Sequence, residues 1–351
     1  MLSATSARSA RPLDADRSCE ACICKLLAGR TSGVSLVVSV SVVIPCYNRA
    51  DTIAQAVQSV LAQTRGFLEL LVVDDASTDG SADIAERAGA RVVRLARNSG
   101  EPAARNAGMH TASGDAIAWL DSDDYWEPHH LETVVPLLDR YPDAAVAASG
   151  VRFVGSRSGH WLGQIPEGPP SDVLRLAFYD WLTPSITTVV RREALMSIGG
   201  FDESERYSVD FDAWLRLARH HKFVASRELT GNWRWHDAQL SNYPEKQWEA
   251  TYRFRKRTLD DVRRDGQHDL ADELSALFRK RWNADVHSAW DKDQTSWLRR
   301  LVELAPLVPD LPRAATRKWS VRSRIPTPVV EVVRACKERR RPSLRRRHTL
   351  A

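Results

Sequence analysis

From residue 39 onward, short β-branched runs alternate with segments whose apolar residues recur at helical spacing. The run 40–45, VSVVIP, has the apolar pattern of a strand buried on both faces. Ile53, Val57, Val60 and Leu61 then repeat on one helical face. Further strands are predicted over 68–75 (LELLVVDD), 91–96 (RVVRLA) and 115–121 (DAIAWLD), with helices over 77–89, 102–112 and 128–140 and an alanine-rich run at 144–150. This alternation predicts an α/β fold, a doubly wound and mostly parallel sheet flanked by helices. In such sheets ligands bind outside the carboxyl ends of the strands. Beyond 245, charged aromatic segments such as EKQWEATYRFRKRTLDDVRR predict a C-terminal helical extension, packed on the sheet domain or joining a homo-oligomer.

Composition changes this picture at the two ends. The 351 residues read as a leader over 1–37, disordered or an over-extended reading frame, then a catalytic-type domain over 38–245. A helical extension over 246–305 and a Pro-containing linker with a basic tail over 306–351 complete the organisation. The net charge of +5 is uneven: the stretch from Arg334 to the end carries eight basic residues and one acidic, leaving the rest of the chain slightly acidic. The basic balance therefore belongs to the tail and does not indicate a nucleic-acid-binding fold; the tail is either simply solvated or drawn to anionic lipid headgroups. The longest apolar run, 34–46, is too short to span a bilayer, so a cytoplasmic protein is expected, peripheral at the inner membrane face if the tail docks. Five cysteines, an odd number, fit a reducing compartment; Cys19, Cys22 and Cys24 lack a second pair for zinc.

Chemistry gathers where the predicted strands end. PCYN follows the first strand, Asp74 and Asp75 the second, RNSG the third and DSDD the fourth. One cleft would collect all four clusters. A nicotinamide site needs G-x-G-x-x-G in the first turn, where this chain reads PCYNRAD, so that class is excluded. Tyr47 offers a flat face to a base, and Asp75 can accept a base N–H. The crowded carboxylates of WLDSDDYW either form a solvated turn or hold a hard divalent cation through oxygen ligands. Such an ion can bridge a diphosphate as it leaves. Jointly the clusters describe a site for a nucleotide diphosphate, of which a nucleotide sugar is the commonest substrate.

In this order the motifs VSVVIPCYNRADTIAQAVQSVLAQT, ELLVVDDASTDGS, NSGEPAARNAG, AIAWLDSDDYWEPHHL, SIGGFDESERYSVDFDAWLRLA and WRWHDAQLS resemble those of a family 2 glycosyltransferase with the GT-A fold. The resemblance spans about Val40 to Asn242. It implies an inverting, non-processive enzyme, since the Q-x-x-R-W signature of processive synthases is absent. It implies nucleotide-sugar contacts at Pro45, Tyr47, Asn48 and Asp75, the last facing a base N3–H, and at Arg105 and Asn106 on a helix bordering the donor. Asp121 and Asp123 match the D-x-D motif, with Asp123 reaching Mg²⁺ or Mn²⁺; Asp124 is either a third member or a cap. His236 matches a position near the diphosphate or metal. Asp210 matches the general base, with the usual preceding glutamate replaced by Val209 and Asp212 in reserve.

The implied partners are a nucleotide-sugar donor, a UDP-sugar by the imide N–H that Asp75 can meet, and a saccharide or lipid-linked acceptor in surface polysaccharide or glycoconjugate synthesis. Trp126, Trp161 and Trp181 are candidates for stacking that acceptor or are ordinary core residues. A nucleotide-sugar-binding protein without turnover and a nucleotidyltransferase are the alternatives; the latter calls for a glycine-rich basic loop that the chain lacks.

Overall fold

Uniformly apolar runs become the central strands of one sheet. The computed structural model describes residues 37–236, 239, 244–292 and 294–324. The expected leader up to residue 36, its three cysteines and the basic tail lie outside them. In chain order the elements are β1 (Val40–Cys46), α1 (Ile53–Leu61), β2 (Glu69–Asp74), α2 (Ser81–Ala88), β3 (Arg91–Arg94), α3 (Glu101–Thr111), β4 (Ala116–Trp119), β5 (Tyr125–Trp126) and α4 (His130–Arg140). They continue with β6 (Ala144–Gly155), β7 (Gly159–Trp161), α5 (Leu174–Tyr179), a 3-10 turn (Ser185–Thr187), β8 (Thr188–Arg191), α6 (Arg192–Ser197), α7 (Val209–Ala218) and β9 (Lys222–Trp235). The helical extension comprises α8 (Pro244–Arg264), α9 (His268–Asp291), α10 (Thr295–Leu304) and α11 (Arg313–Arg322).

The strands run in the order β3-β2-β1-β4-β8-β6-β9-β5, with β7 paired to β6. From β3 to β4 the sheet is parallel, as a chain of β–helix–β units requires. Beyond β4 it is mixed: β8 is antiparallel to both β4 and β6, whereas β9 runs parallel to β6. Every residue of β1 is buried, consistent with helices on both faces. Ile53, Ala56, Val57 and Val60 of α1 pack on one face, the helical spacing that the sequence displays.

The other face continues without a break into the helical extension. One apolar cluster runs from Val43, Leu71 and Trp119 through Phe178 and Trp214 to Phe278, Trp282, Trp297 and Trp319. The fully buried Arg255 of α8 ties the two parts together, donating to the carbonyls of Phe178 (2.5 Å) and Tyr179 (3.2 Å). A buried guanidinium is tolerated here because carbonyl oxygens meet it. Within the stretch read as a linker, residues 313–322 form α11 instead. Pro312 sets its start, RAATRKW is made largely of good helix formers, and Trp319 is buried against His287 and Trp290. Among the described residues no helix is long and apolar enough to cross a membrane.

Candidate active site

The carboxyl ends of β1, β2 and β4 open into a cleft of about 920 Å³. Its lining includes Pro45, Tyr47, Arg49, Asp75, Asp121, Asp123, Asp124 and Asp210. Residues from four separate segments thus meet in one place because a doubly wound sheet gathers its loops at one edge.

At the β1 end, Tyr47 is exposed and Pro45 is buried beneath it. Asn48 sits in the left-handed region (φ 50°), which asparagine tolerates. Its Oδ1 accepts the Thr78 N–H at 2.9 Å and its own N–H donates to Ser77 Oγ at 2.9 Å. Asn48 therefore laces two loops together and is not among the cleft-lining residues. Asp75, 2% exposed, accepts the backbone N–H groups of Ser99 and Gly100, one on each oxygen, both at 2.7 Å. Each carboxylate oxygen retains a lone pair for a further donor.

Behind the cleft lies Arg105, buried on α3. Its Nε donates to Glu101 at 2.8 Å, and its Nη2 to Asp121 Oδ1 at 2.5 Å and Ser185 Oγ at 3.1 Å. The guanidinium lies over the rings of Trp119 and Phe201. Arg105 thus props Asp121 from beneath and does not line the cleft. Asn106 is likewise taken up by structure: it donates to the Phe201 carbonyl and Glu203, and accepts the Phe201 N–H, each at 2.8 Å. Gly200 (φ 74°) permits this clamp, since a Cβ there would lie 2.5 Å from Asn106 Oδ1.

The acidic turn after β4 divides into three roles. Burial raises the Asp121 carboxyl above the ordinary range, with Glu101 and Asp123 adding to the effect and Arg105 opposing it. Asp124 is buried, and burial and its two acidic neighbours hold its carboxyl well above the ordinary range; its Oδ1 accepts the Arg234 N–H at 2.7 Å. Asp123 Oδ2 meets Arg49 Nε at 3.2 Å and His236 Nε2 at 3.0 Å. Among the described residues no three Asp, Glu, His or Cys side chains converge as a complete metal cage. Asp123 and His236 nonetheless meet beside two carboxylates whose ionisation burial opposes. A divalent cation here would be held by Asp123 and His236 among the described residues, with its remaining ligands coming from outside the chain.

Asp210 stands in the first turn of α7, after Ser208 in the left-handed region. It accepts the Phe211 N–H at 2.8 Å. Burial pushes its carboxyl up to about 7, against the pull of Arg105, with Glu101 and Asp121 adding to the rise. Asp212 is 1% exposed and held by two arginines, Arg216 at 2.8 Å and Arg257 from α8. It is a strut between helices and cannot reach the cleft.

Of the three sequence-flagged tryptophans, Trp126 is core: it is buried, stacked on His130, and donates to the Ile186 carbonyl at 2.6 Å. Trp161 and Trp181 line the cleft, and so do Trp233 and Trp248, which sequence reasoning did not select. Arg49 and Glu101 were also missed. Arg49 directly follows the PCYN cluster, a signal that could have flagged it; Trp248 belongs to the helical extension, and only packing brings it to the cleft.

Residues 41–202 match the family model described as glycosyl transferase family 2. Among curated proteins, the chain is 44% identical over 186 residues to a putative teichuronic acid biosynthesis glycosyltransferase, TuaG, of Bacillus subtilis, covering 51% of this chain and 72% of that one. It is 27% identical over 254 residues to an uncharacterized glycosyltransferase of Rickettsia typhi, covering 69% and 80%. Among solved structures, S. aureus TarS in complex with UDP-GlcNAc superposes with a TM-score of 0.64 at 18% identity, over 85% of this chain and 92% of that one. That likeness places the fold in the GT-A class.

Proposed function

The chain belongs to glycosyl transferase family 2, and from that premise we propose that it moves one sugar from a UDP-sugar to a saccharide or lipid-linked acceptor, with inversion. One observation carries the reading: Asp75, Asp121, Asp123 and Asp210, drawn from two loops and a helix, line a single cleft. Tyr47 would stack on the base while Asp75, pinned by two backbone N–H groups, turns a remaining lone pair to its N–H. Arg49 lies beside Asp123, placed to meet a phosphate oxygen.

Asp123 and His236, with Asp121, would hold a divalent cation, which when bound would stabilise negative charge on the leaving diphosphate. Asp210 accepts the proton of an acceptor hydroxyl as that oxygen attacks the anomeric carbon. The bond from that carbon to the diphosphate oxygen breaks, and UDP departs with the electron pair. A carboxyl lifted to about 7 suits this task, because it is partly ionised near neutrality and a stronger base than an ordinary aspartate. The names of the TuaG relative and of the TarS complex support a UDP-sugar and a surface polysaccharide as the chemical context. The basic tail, outside the described residues, would add reversible attraction to an anionic inner membrane face.

Calorimetry with UDP, GDP and dTDP in the presence of Mn²⁺ tests the donor: UDP is expected to bind tightest. Equal or tighter binding of GDP would overturn the uridine assignment.

A further inference from the structure

The chain contains 12 tryptophans, and burial divides them. Trp119, Trp126, Trp214, Trp282, Trp297 and Trp319 are buried core residues. The other six are half-buried, and four of these (Trp161, Trp181, Trp233 and Trp248) line the cleft that holds Asp210. Trp181 and Trp248 also pack against the core, whereas Trp161 and Trp233 belong to neither apolar cluster.

Strand register explains how two of the four come to lie together. Irregularities at Ala148 and Gly150 shift the pairing of β6 with β9, so the outer half of β6 continues as a flap beyond the core. There Val151 pairs with Trp161 of β7 and Gly231 of β9, while Phe153 pairs with Gly159 and Trp233. Paired residues share a face, as do residues two apart, so Trp161, Phe153, Trp233 and Trp235 stand on one side of the flap. Phe153 and Trp235 pack against Trp233, with centroids 5.8 and 5.6 Å from it, and hold that indole upright. Trp161 and Trp233 lie on the strands flanking β6 and are offset by two residues, so two strand spacings and a two-residue rise set them roughly 12 Å apart. Elsewhere on the cleft wall, Trp181 donates its indole N–H to the Thr183 carbonyl at 3.1 Å, and Arg281 covers one face of Trp248.

We infer that this aromatic face is the acceptor subsite, with Trp161 and Trp233 each stacking a pyranose ring of one oligosaccharide and at least one further ring between them. The inference rests on the glycosyltransferase reading of the same cleft. Stacked indoles favour the apolar face of a pyranose. The lining also presents Asp210, Gln239 and Gln247, which sugar hydroxyls would satisfy and an alkyl chain would leave unpaired. A saccharide head is therefore the occupant, whether or not a lipid follows it.

Saturation-transfer NMR with cellotetraose, lacto-N-tetraose, tetra-N-acetylchitotetraose and monomeric octyl glucoside, in the presence of UDP and Mn²⁺, tests this. Transfer to ring C–H protons is expected from at least one tetrasaccharide, with roughly tenfold weaker binding in Trp161→Ala and in Trp233→Ala. UDP affinity should be unchanged in both variants, and Trp161→Phe should retain most saccharide binding. If an alanine variant loses UDP binding through misfolding, Trp161→Gln against Trp161→Phe carries the comparison. No transfer to any tetrasaccharide, undiminished transfer in the variants, or transfer confined to the octyl chain would each overturn the subsite. Failure of UDP to bind the wild-type protein would instead count against the donor reading.

Discussion

Asp123 Oδ2 lies 3.0 Å from His236 Nε2, although 113 residues separate the two in the chain. β9 returns along β6 to the mouth of the cleft and sets the imidazole against the acidic turn. On the proposed reading this pair would hold the divalent cation, through a carboxylate oxygen and an imidazole nitrogen.

Removing one of these groups should weaken metal-assisted UDP binding. For Asp123→Ala and His236→Ala the expected loss is roughly 10–100-fold in apparent Mn²⁺ affinity, the scale found for groups that support a metal site. Calorimetry of UDP with Mn²⁺, and again with EDTA, measures it. UDP affinity indifferent to EDTA and to both substitutions would remove the metal from the account.

Arg105 should matter to stability before it matters to chemistry. It is 1% exposed and neutralises Glu101 and Asp121. Arg105→Met leaves those carboxylates, each about a third exposed to the cleft, without their partner, at a cost of about 1–3 kcal/mol after solvent screening. Urea denaturation at neutral pH checks the figure; a change within experimental error would mean that the pair is screened by solvent.

The position of Asp210 sets a pH dependence of stability whose sign follows from its raised carboxyl. Between the ordinary value of 3.8 and about 7 the folded chain binds a proton that the unfolded chain has released. Its contribution is therefore fully present below the unfolded value and is lost as pH rises through about 7. Asp210→Asn removes that loss, so the variant should melt higher than wild type above neutrality and converge with it in acid. Thermal melts across pH test this; a variant less stable than wild type at high pH would contradict it.

Much of the fold was legible because its first half is local. Each strand from 40 to 121 is a short apolar run that ends in polar residues, and each helix between them has one apolar face, so the alternation shows without tertiary information. The second half was less readable. β9 mixes charges with aromatics, since it pairs partly with core strands and partly with the outer flap. Helix α11 was hidden by the prolines around it, and only the burial of Trp319 explains it; Trp319→Ala should cost about 3–5 kcal/mol.

The site shows the same division. Asp75, Asp121, Asp123 and Asp210 lie at element ends, where topology places them in the cleft. Asn48, Arg105 and Asn106 occupy neighbouring positions, but partners distant in sequence hydrogen-bond their side chains, Thr78 for the first, Asp121 and Ser185 for the second, and Phe201 for the third. Asp212 is removed from the chemistry by Arg257, 45 residues away. No periodicity announces such contacts.

Asp212 therefore provides the control for the base. Asp212→Asn should lower stability by about 3–5 kcal/mol through its broken buried pairs, yet leave the pH profile of turnover in place. A profile that shifted with Asp212 and ignored Asp210 would exchange their roles.

The most direct test of the central claim is steady-state turnover of a UDP-sugar by Asp210→Asn, followed as UDP release alongside UDP affinity. The substitution is nearly isosteric, so UDP should bind as it does to wild type. Turnover should fall by at least roughly 10²-fold, and the wild-type rise in kcat/KM with pH through about 7 should vanish. Turnover within a few-fold of wild type, with its pH profile intact, would contradict the assignment of Asp210 as the base.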